Sequence, residues 1–200
     1  MTFEPSIERR PHIGLTMGMA GLVLPDPPLS DGVVTLRAFE PSDIPVLVEI
    51  CQDPEIARRT LVPSPYAADD ARAYLARVAE GLAAETRASF AIMDAADGQM
   101  LGTAGLMAID RVLGCAEIGY TLAEPARGRG AASRAVQLLA GWAFGPLDLR
   151  RLELHIDKRN LASRAVAART GFDRVAEPLV QRPETAHFTN DMYFARSRGD

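Results

Sequence analysis

The chain is 200 residues long and 21.6 kDa, with 48% hydrophobic and 24% charged residues, a formal net charge of -4 and a pI of about 5.5. That composition fits one globular α/β-sized domain with a substantial core and excludes disorder of the chain as a whole. The acidic balance argues against a nucleic-acid partner, because neutralising phosphates needs a basic excess or a basic stripe. Cys51 and Cys115 lie far apart with no companions at metal spacing, so neither a metal site nor a disulfide framework is expected, and a reducing cytoplasm is the expected compartment.

In chain order, residues 1–31 read as an N-terminal arm and residues 32–200 as the domain. "IGLTMGMAGLVL" (Ile13 to Leu24) follows Arg9 and Arg10 as a signal peptide would. It is too short to span a bilayer and no small-x-small cleavage site follows, so no membrane partner is expected. "PDPPLSDG" is a loop leading into the domain. "VVTLRAFE" (Val33 to Glu40) has the β-branched content of a strand, and "PSDIPVLVEICQD" places Ser42 or Asp43 as a cap before an apolar helical face. "YAADDARAYLARVAEGLAAE" predicts a second helix, with Ala71, Tyr74, Leu75, Val78 and Leu82 at helical spacing. "SFAIMDAADGQMLGTAGLMAI" is two apolar runs around Asp97-Gly98, hence a hairpin.

"AEIGYTLA" is a further strand, and "AASRAVQLLAGWAF" a helix with Val136, Leu139 and Ala143 on one face. "RLELHID" alternates, with Leu152, Leu154 and Ile156 on one side and Arg151, Glu153, His155 and Asp157 on the other, which predicts a half-buried strand. "NLASRAVAART" is a helix stopping at Gly171, and "GFDRVAE" and "DMYFARS" supply two closing strands. The order β-α-α-β-β-β-α-β-α-β-β predicts a mixed sheet covered by helices.

Between strand and helix stands "PARGRGAAS" (residues 125 to 133). Gly128 and Gly130 let the backbone bend so that amide N–H groups converge, and the following helix offers unpaired N–H groups and a positive dipole end. Arg127 and Arg129 add charges suited to phosphate oxygens. The turn is either an anion site or a tight connection with solvated arginines. It lacks the Gly-Lys-Ser/Thr of a P-loop and the third glycine of the dinucleotide fingerprint, which disfavours a nucleotide oxidoreductase.

"EIGYTLAEPARGRGAASRAVQLLAGWAF" resembles the acetyl-CoA-binding segment of the GNAT superfamily of N-acetyltransferases, with Arg127-Gly128-Arg129-Gly130-Ala131-Ala132 standing as its Arg/Gln-x-x-Gly-x-Gly/Ala signature. "NLASRAVAARTGF", with Asn160, Ser163, Gly171 and Phe172, resembles the second cofactor segment of that superfamily, and "TLRAFEPSDIPVLVEICQDPEIA" is similar to the start of its ribosomal-protein N-terminal acetyltransferase branch. The resemblance covers roughly residues 33 to 196. It implies an α/β (α+β) fold with a mixed, mostly antiparallel central sheet, a splayed parallel strand pair and helices on both faces. It implies transfer of an acetyl group from acetyl-CoA to a primary amine, a protein N-terminal α-amine or a small molecule, by direct attack in a ternary complex.

The resemblance also implies site residues. Backbone groups of Ile118, Tyr120 and Leu122 on the splayed strand pair with pantetheine, the turn from Arg127, Gly128, Arg129 and Gly130 to Ala131 and Ala132 holds the pyrophosphate, and Asn160 points its amide at the pantetheine arm. Glu117 is either the base for the amine or a surface carboxylate. The tyrosine that often serves as the acid is replaced by Ala167, and Ser163 takes the thiolate-protonating role by likeness to the ribosomal-protein branch. So weak an acid–base set suits an α-amine, with a pKa near 8, better than a lysine near 10.4.

His155 reads as a structural histidine satisfied by Glu153 or Asp157, or as a base; His12 and His187 show no partner. Tyr120 and Tyr193 read as sheet residues with polar ends, and Trp142 as core. Cys115 lacks an activating histidine. Rival expectations are a catalytically silent acyl-CoA-binding sensor or assembly module, and plain phosphate or nucleotide binding by the turn. A homodimer is compatible with the sequence.

Overall fold

A computed structural model describes residues 21–60, 62–180 and 190–199. The elements are β1 (Leu29–Ser30), β2 (Val34–Arg37), α1 (Ile44–Cys51), α2 (Pro54–Arg59), α3 (Ala68–Ala83), β3 (Arg87–Asp94), β4 (Met100–Asp110), β5 (Cys115–Leu122), α4 (Ala131–Phe144), β6 (Arg151–Asp157), α5 (Leu161–Arg169), β7 (Asp173–Val175) and β8 (Asp191–Ser197). The strands form one sheet ordered β1-β2-β3-β4-β5-β6-β8-β7, antiparallel throughout except for the β5–β6 pair. The expected mixed sheet with one parallel pair is present.

Strand alternation divides the core between the two faces. Val34, Leu36, Phe90, Ile92, Ala104, Leu106, Ile118, Leu152 and Leu154 face α4 and α5, where Val136, Leu139 and Trp142 meet them. Trp142 is core, as expected, its ring edge-on to Phe90 at 5.5 Å. On the opposite face Ala91 and Met93 of β3 pack with Leu47, Ile50 and Ile56 of α1 and α2 and with Ala71, Tyr74 and Leu75 of α3.

Local chemistry sets the boundaries. Asp97 accepts the Gln99 N–H at 2.8 Å and Gly98 takes φ +73°, closing the β3–β4 hairpin as the sequence predicts. Gly171, at φ +76°, follows the end of α5 in the left-handed conformation expected of it. Asp43 does not cap α1 in the manner expected. It accepts the Glu40 N–H at 2.8 Å and both guanidinium branches of Arg37 at 2.7 and 2.8 Å, so it ties the end of β2 to the turn before the helix.

The structure adds β1 and α2 to the predicted order, and "GFDRVAE" yields a strand of only three residues. Of the arm, Leu22 is buried with the α4-side core and Leu29–Ser30 pairs with β2. Residues 1–20 and His187 lie outside the described residues. The half-buried reading of β6 is corrected, because Glu153 is fully buried and the His155 side chain is 3% exposed. Chain from Leu179 to Val180 lies over that face and donates two backbone N–H groups to Glu153.

Candidate active site

The parallel pair sets the site. β5 and β6 are matched only at Cys115–Arg151, Ala116–Leu152 and Glu117–Glu153. Beyond that point β6 pairs with β8 while β5 stays with β4 as far as Leu122, so the two strands part at Glu117. The Ala123 N–H bonds the Leu101 carbonyl, which fixes the alternation. Residues 117, 119 and 121 turn their backbone groups to β4, whereas Ile118, Tyr120 and Leu122 turn theirs to the opened side. Among the described residues, Arg127 reaches that edge, donating to the Leu122 carbonyl at 3.0 Å while also pairing with Asp53, the N-cap of α2.

The turn that follows ends in an open helix N-terminus. Gly128 and Gly130 have φ of +76° and +84°, and an added Cβ at either would meet no atom within 4 Å. Gly130 is the N-cap of α4 with no side-chain cap, and no acidic residue stands in the first turn. The first N–H groups of a 14-residue helix thus carry no side-chain cap, and Arg129 beside them is exposed. Because the space is open and only the dihedral is demanding, Gly130→Ala carries about 1 to 2 kcal/mol of left-handed strain without a clash. Calorimetric titration is expected to show acetyl-CoA binding weakened about tenfold, with the fold retained in circular dichroism.

Across the opening, Asn160 caps α5, its Oδ1 accepting the Ser163 N–H at 3.1 Å, so its amide NH2 is not consumed by the cap. The Tyr120 hydroxyl is buried and makes no hydrogen bond of ordinary geometry with the described residues. Burial pushes its pKa up, against an opposing pull from the Ser163 hydroxyl and the Arg169 charge, which places Ser163 beside the phenol. Cys115 is buried and its thiol is likewise pushed up by burial, so it is no nucleophile.

Glu117 is 2% exposed, which removes the surface-carboxylate reading. It projects from the sheet face opposite α4, together with Glu153 and His155. His155 Nε2 lies 3.2 Å from Glu153 Oε2, and its Nδ1 lies 3.6 Å from Glu117 Oε2. Asp157, the other expected partner of His155, is held by Arg159 at 2.7 Å instead. Burial pushes the Glu153 carboxyl up, but hydrogen bonds from His155, the Leu179 and Val180 N–H groups and Arg151 outweigh it and bring it down to about 2. Sequence reasoning missed this cluster as a unit, because the Glu117–Glu153 register is a property of a parallel pair joined through a helix.

Comparison with known proteins agrees with this geometry. The model of the acetyltransferase (GNAT) domain matches residues 34–173. The chain belongs to the GNAT acetyltransferase family. It is 33% identical over 131 residues to the uncharacterized N-acetyltransferase p20 of Bacillus licheniformis, covering 65% of this chain and 73% of that one. Among solved structures, RimL, a ribosomal-protein alpha-N-acetyltransferase in complex with coenzyme A, superposes with a TM-score of 0.70 at 24% identity, covering 85% of this chain and 96% of that one. The spermidine N-acetyltransferase of Vibrio cholerae, solved with CoA and spermine, gives 0.68 at 18% identity, covering 84% and 97%. The GNAT assignment makes the protein an acyltransferase with acetyl-CoA as cosubstrate and an amine as acceptor. Among the described residues no helix is long and apolar enough to cross a membrane, and none form a His/Cys/Asp/Glu cluster suited to a metal.

Proposed function

We propose that this GNAT enzyme acetylates a protein N-terminal α-amine, with Glu117 as base and Ser163 on the thiolate side. The observation that carries the reading is the parting of β5 and β6 at Glu117, which sets a buried carboxylate where an opened strand edge begins. The residues present fit acetyl-CoA. Backbone groups of Ile118, Tyr120 and Leu122 are oriented to pair with an extended amide chain, the N–H groups from Gly128 to Ala132 suit a diphosphate, and the Asn160 amide NH2, not used by the helix cap, would serve as a donor to the arm between them. The cosubstrate supplies an activated thioester.

The protein's own part is positioning and proton handling. Glu117 takes a proton from the incoming ammonium, directly or through a water. Ser163, next to the Tyr120 phenol, supplies a hydroxyl to the departing sulfur. Arg127 is engaged with Asp53 and Leu122, so of the two arginines in the turn Arg129 is the better placed for phosphate. The acceptor enters over the α1–α3 face, where Tyr74 of α3 is partly buried near Ser89 and Thr103. Likeness to RimL supports a peptide N terminus; likeness to the spermidine enzyme supports a polyamine as the competing acceptor. The cytoplasm belongs to the same proposal, supported by Cys51 and Cys115 being free thiols.

The test is thiol release from acetyl-CoA against N-terminal peptides, polyamines, aminoglycosides and amino acids. Peptides are expected to give the highest kcat/KM, and Ser163→Ala to lower kcat about tenfold with acetyl-CoA affinity retained. Tight acetyl-CoA binding with no acceleration by any amine would replace this reading with that of a silent acyl-CoA-binding module.

A further inference from the structure

Resting on the assignment of Glu117 as base, we propose that His155 is a proton-relaying, positioning residue behind it, locked by Glu153 so that Nδ1 exchanges a proton with Glu117. Glu117 and Glu153 are direct neighbours in the parallel register, one strand spacing of about 4.8 Å apart. Both carboxylates are buried, at 2% and 0% exposure, and two negative charges so close and so dry repel strongly. His155 resolves this repulsion by standing between them.

The orientation of the ring follows from its partners. Glu153 also accepts from Arg151 Nε at 2.7 Å and from the Leu179 and Val180 N–H groups at 2.9 and 3.1 Å, so it is anchored as an acceptor on every side. Its contact with His155 Nε2 therefore places the N–H at that nitrogen. The ring is further fixed edge-on against Tyr193 of β8, with centroids 4.9 Å apart at 78°. What remains is Nδ1, which lies 3.6 Å from Glu117 Oε2, a gap that a small side-chain shift closes to hydrogen-bond distance. A lone pair facing a carboxylate is repulsive, so the pair, bare of a shared proton at the start of turnover, is poised to take one up, on Nδ1 or on Oε2.

That shared position gives the amine's proton a destination. The N–H bond of the acceptor ammonium breaks and an O–H bond forms on Glu117; this bond then breaks as N–H forms on His155 Nδ1. The imidazolium so produced lies between two carboxylates, with Arg151 balancing the outer one. Glu117 is thereby restored as a carboxylate, and His155 returns its proton to solvent or product between turnovers. No oxidant or further reactant is required.

The groups facing His155 among the described residues are Glu117 from β5, Glu153 with its Arg151 from β6, and the Tyr193 ring from β8. His155→Gln keeps an amide donor toward Glu153 but cannot take a proton. It is expected to lower kcat about tenfold with KM for acetyl-CoA unchanged, and to shift the low-pH limb of kcat downward, because a carboxylate is left without an imidazole behind it. Imidazole nitrogen NMR gives a readout independent of turnover. With His155 signals assigned by their loss in His155→Gln, Nε2 is expected to stay protonated throughout, and the Nδ1 titration to change in Glu117→Gln. A pH profile unchanged in shape in His155→Gln, or an Nδ1 titration indifferent to Glu117→Gln, overturns the relay. Full thiol release by Glu117→Gln would instead overturn the assignment of the base, so the two failures are told apart.

Discussion

Glu117→Gln is expected to lower kcat by about 100-fold or more at pH 7 while leaving acetyl-CoA affinity within about twofold. The substitution preserves shape and keeps one acceptor oxygen at a site that is 2% exposed, so packing changes little. What it removes is the proton acceptor. A peptide α-amine has a pKa near 8, so at pH 7 about nine-tenths of it arrives as ammonium. As pH rises through that value the acceptor deprotonates in solution, and the defect is expected to shrink to roughly tenfold by pH 9. Steady-state thiol release from pH 6 to 9.5 measures both quantities. A defect of constant size across that range would mean that Glu117 orients the amine without taking its proton.

The structure also shows which parts of the site can be read in a sequence and why. Local chemistry was legible where one residue type answers one demand. Asp97-Gly98 closes the hairpin, Gly128 and Gly130 bend the turn before α4, and Gly171 stops α5. The backbone parity of Ile118, Tyr120 and Leu122 follows from strand alternation once the strand is recognised. Short elements were not legible. "DPEIARR" contains a helix of six residues held by the Asp53 cap and by Glu55 pairing with Arg58 and Arg59, too short for a periodic signal.

The larger omission is the polar face of β6. Alternating Leu and charged residues ordinarily mean one wet face, and "RLELHID" follows that pattern. Here the face is dry because the chain at Leu179 and Val180 folds over it, and that contact joins residues 26 and 27 positions apart. Nothing within the strand announces it. A strand whose polar side chains are two carboxylates, an arginine and a histidine can be either a solvated surface or a buried charge network. Only the tertiary cover decides between them.

That cover makes Glu153 the residue whose loss should cost the fold most. Glu153→Ala leaves the Leu179 and Val180 N–H groups, Arg151 and His155 without their common acceptor. Breaking a buried ionic network from one side costs about 3 to 5 kcal/mol, a large share of a domain's total stability. The melting temperature is expected to fall by roughly 10 °C, given about 2–4 °C per kcal/mol for a chain of this size. The same anchoring predicts an acid limb. The Glu153 carboxyl sits at about 2 in the folded protein against 4.5 as its ordinary value. A folded-state pKa below the unfolded one means that the contribution is complete above about pH 4.5 and is lost as pH falls toward 2. Its size is on the order of 3 kcal/mol. Glu153→Gln removes this ionisation, so urea denaturation of the wild type and this variant is expected to differ most near pH 6 and to converge as pH approaches 2. Curves that stay parallel down to pH 2.5 would show that Glu153 holds the 179–180 segment without its charge mattering, and the basis for fixing the His155 tautomer would go with it.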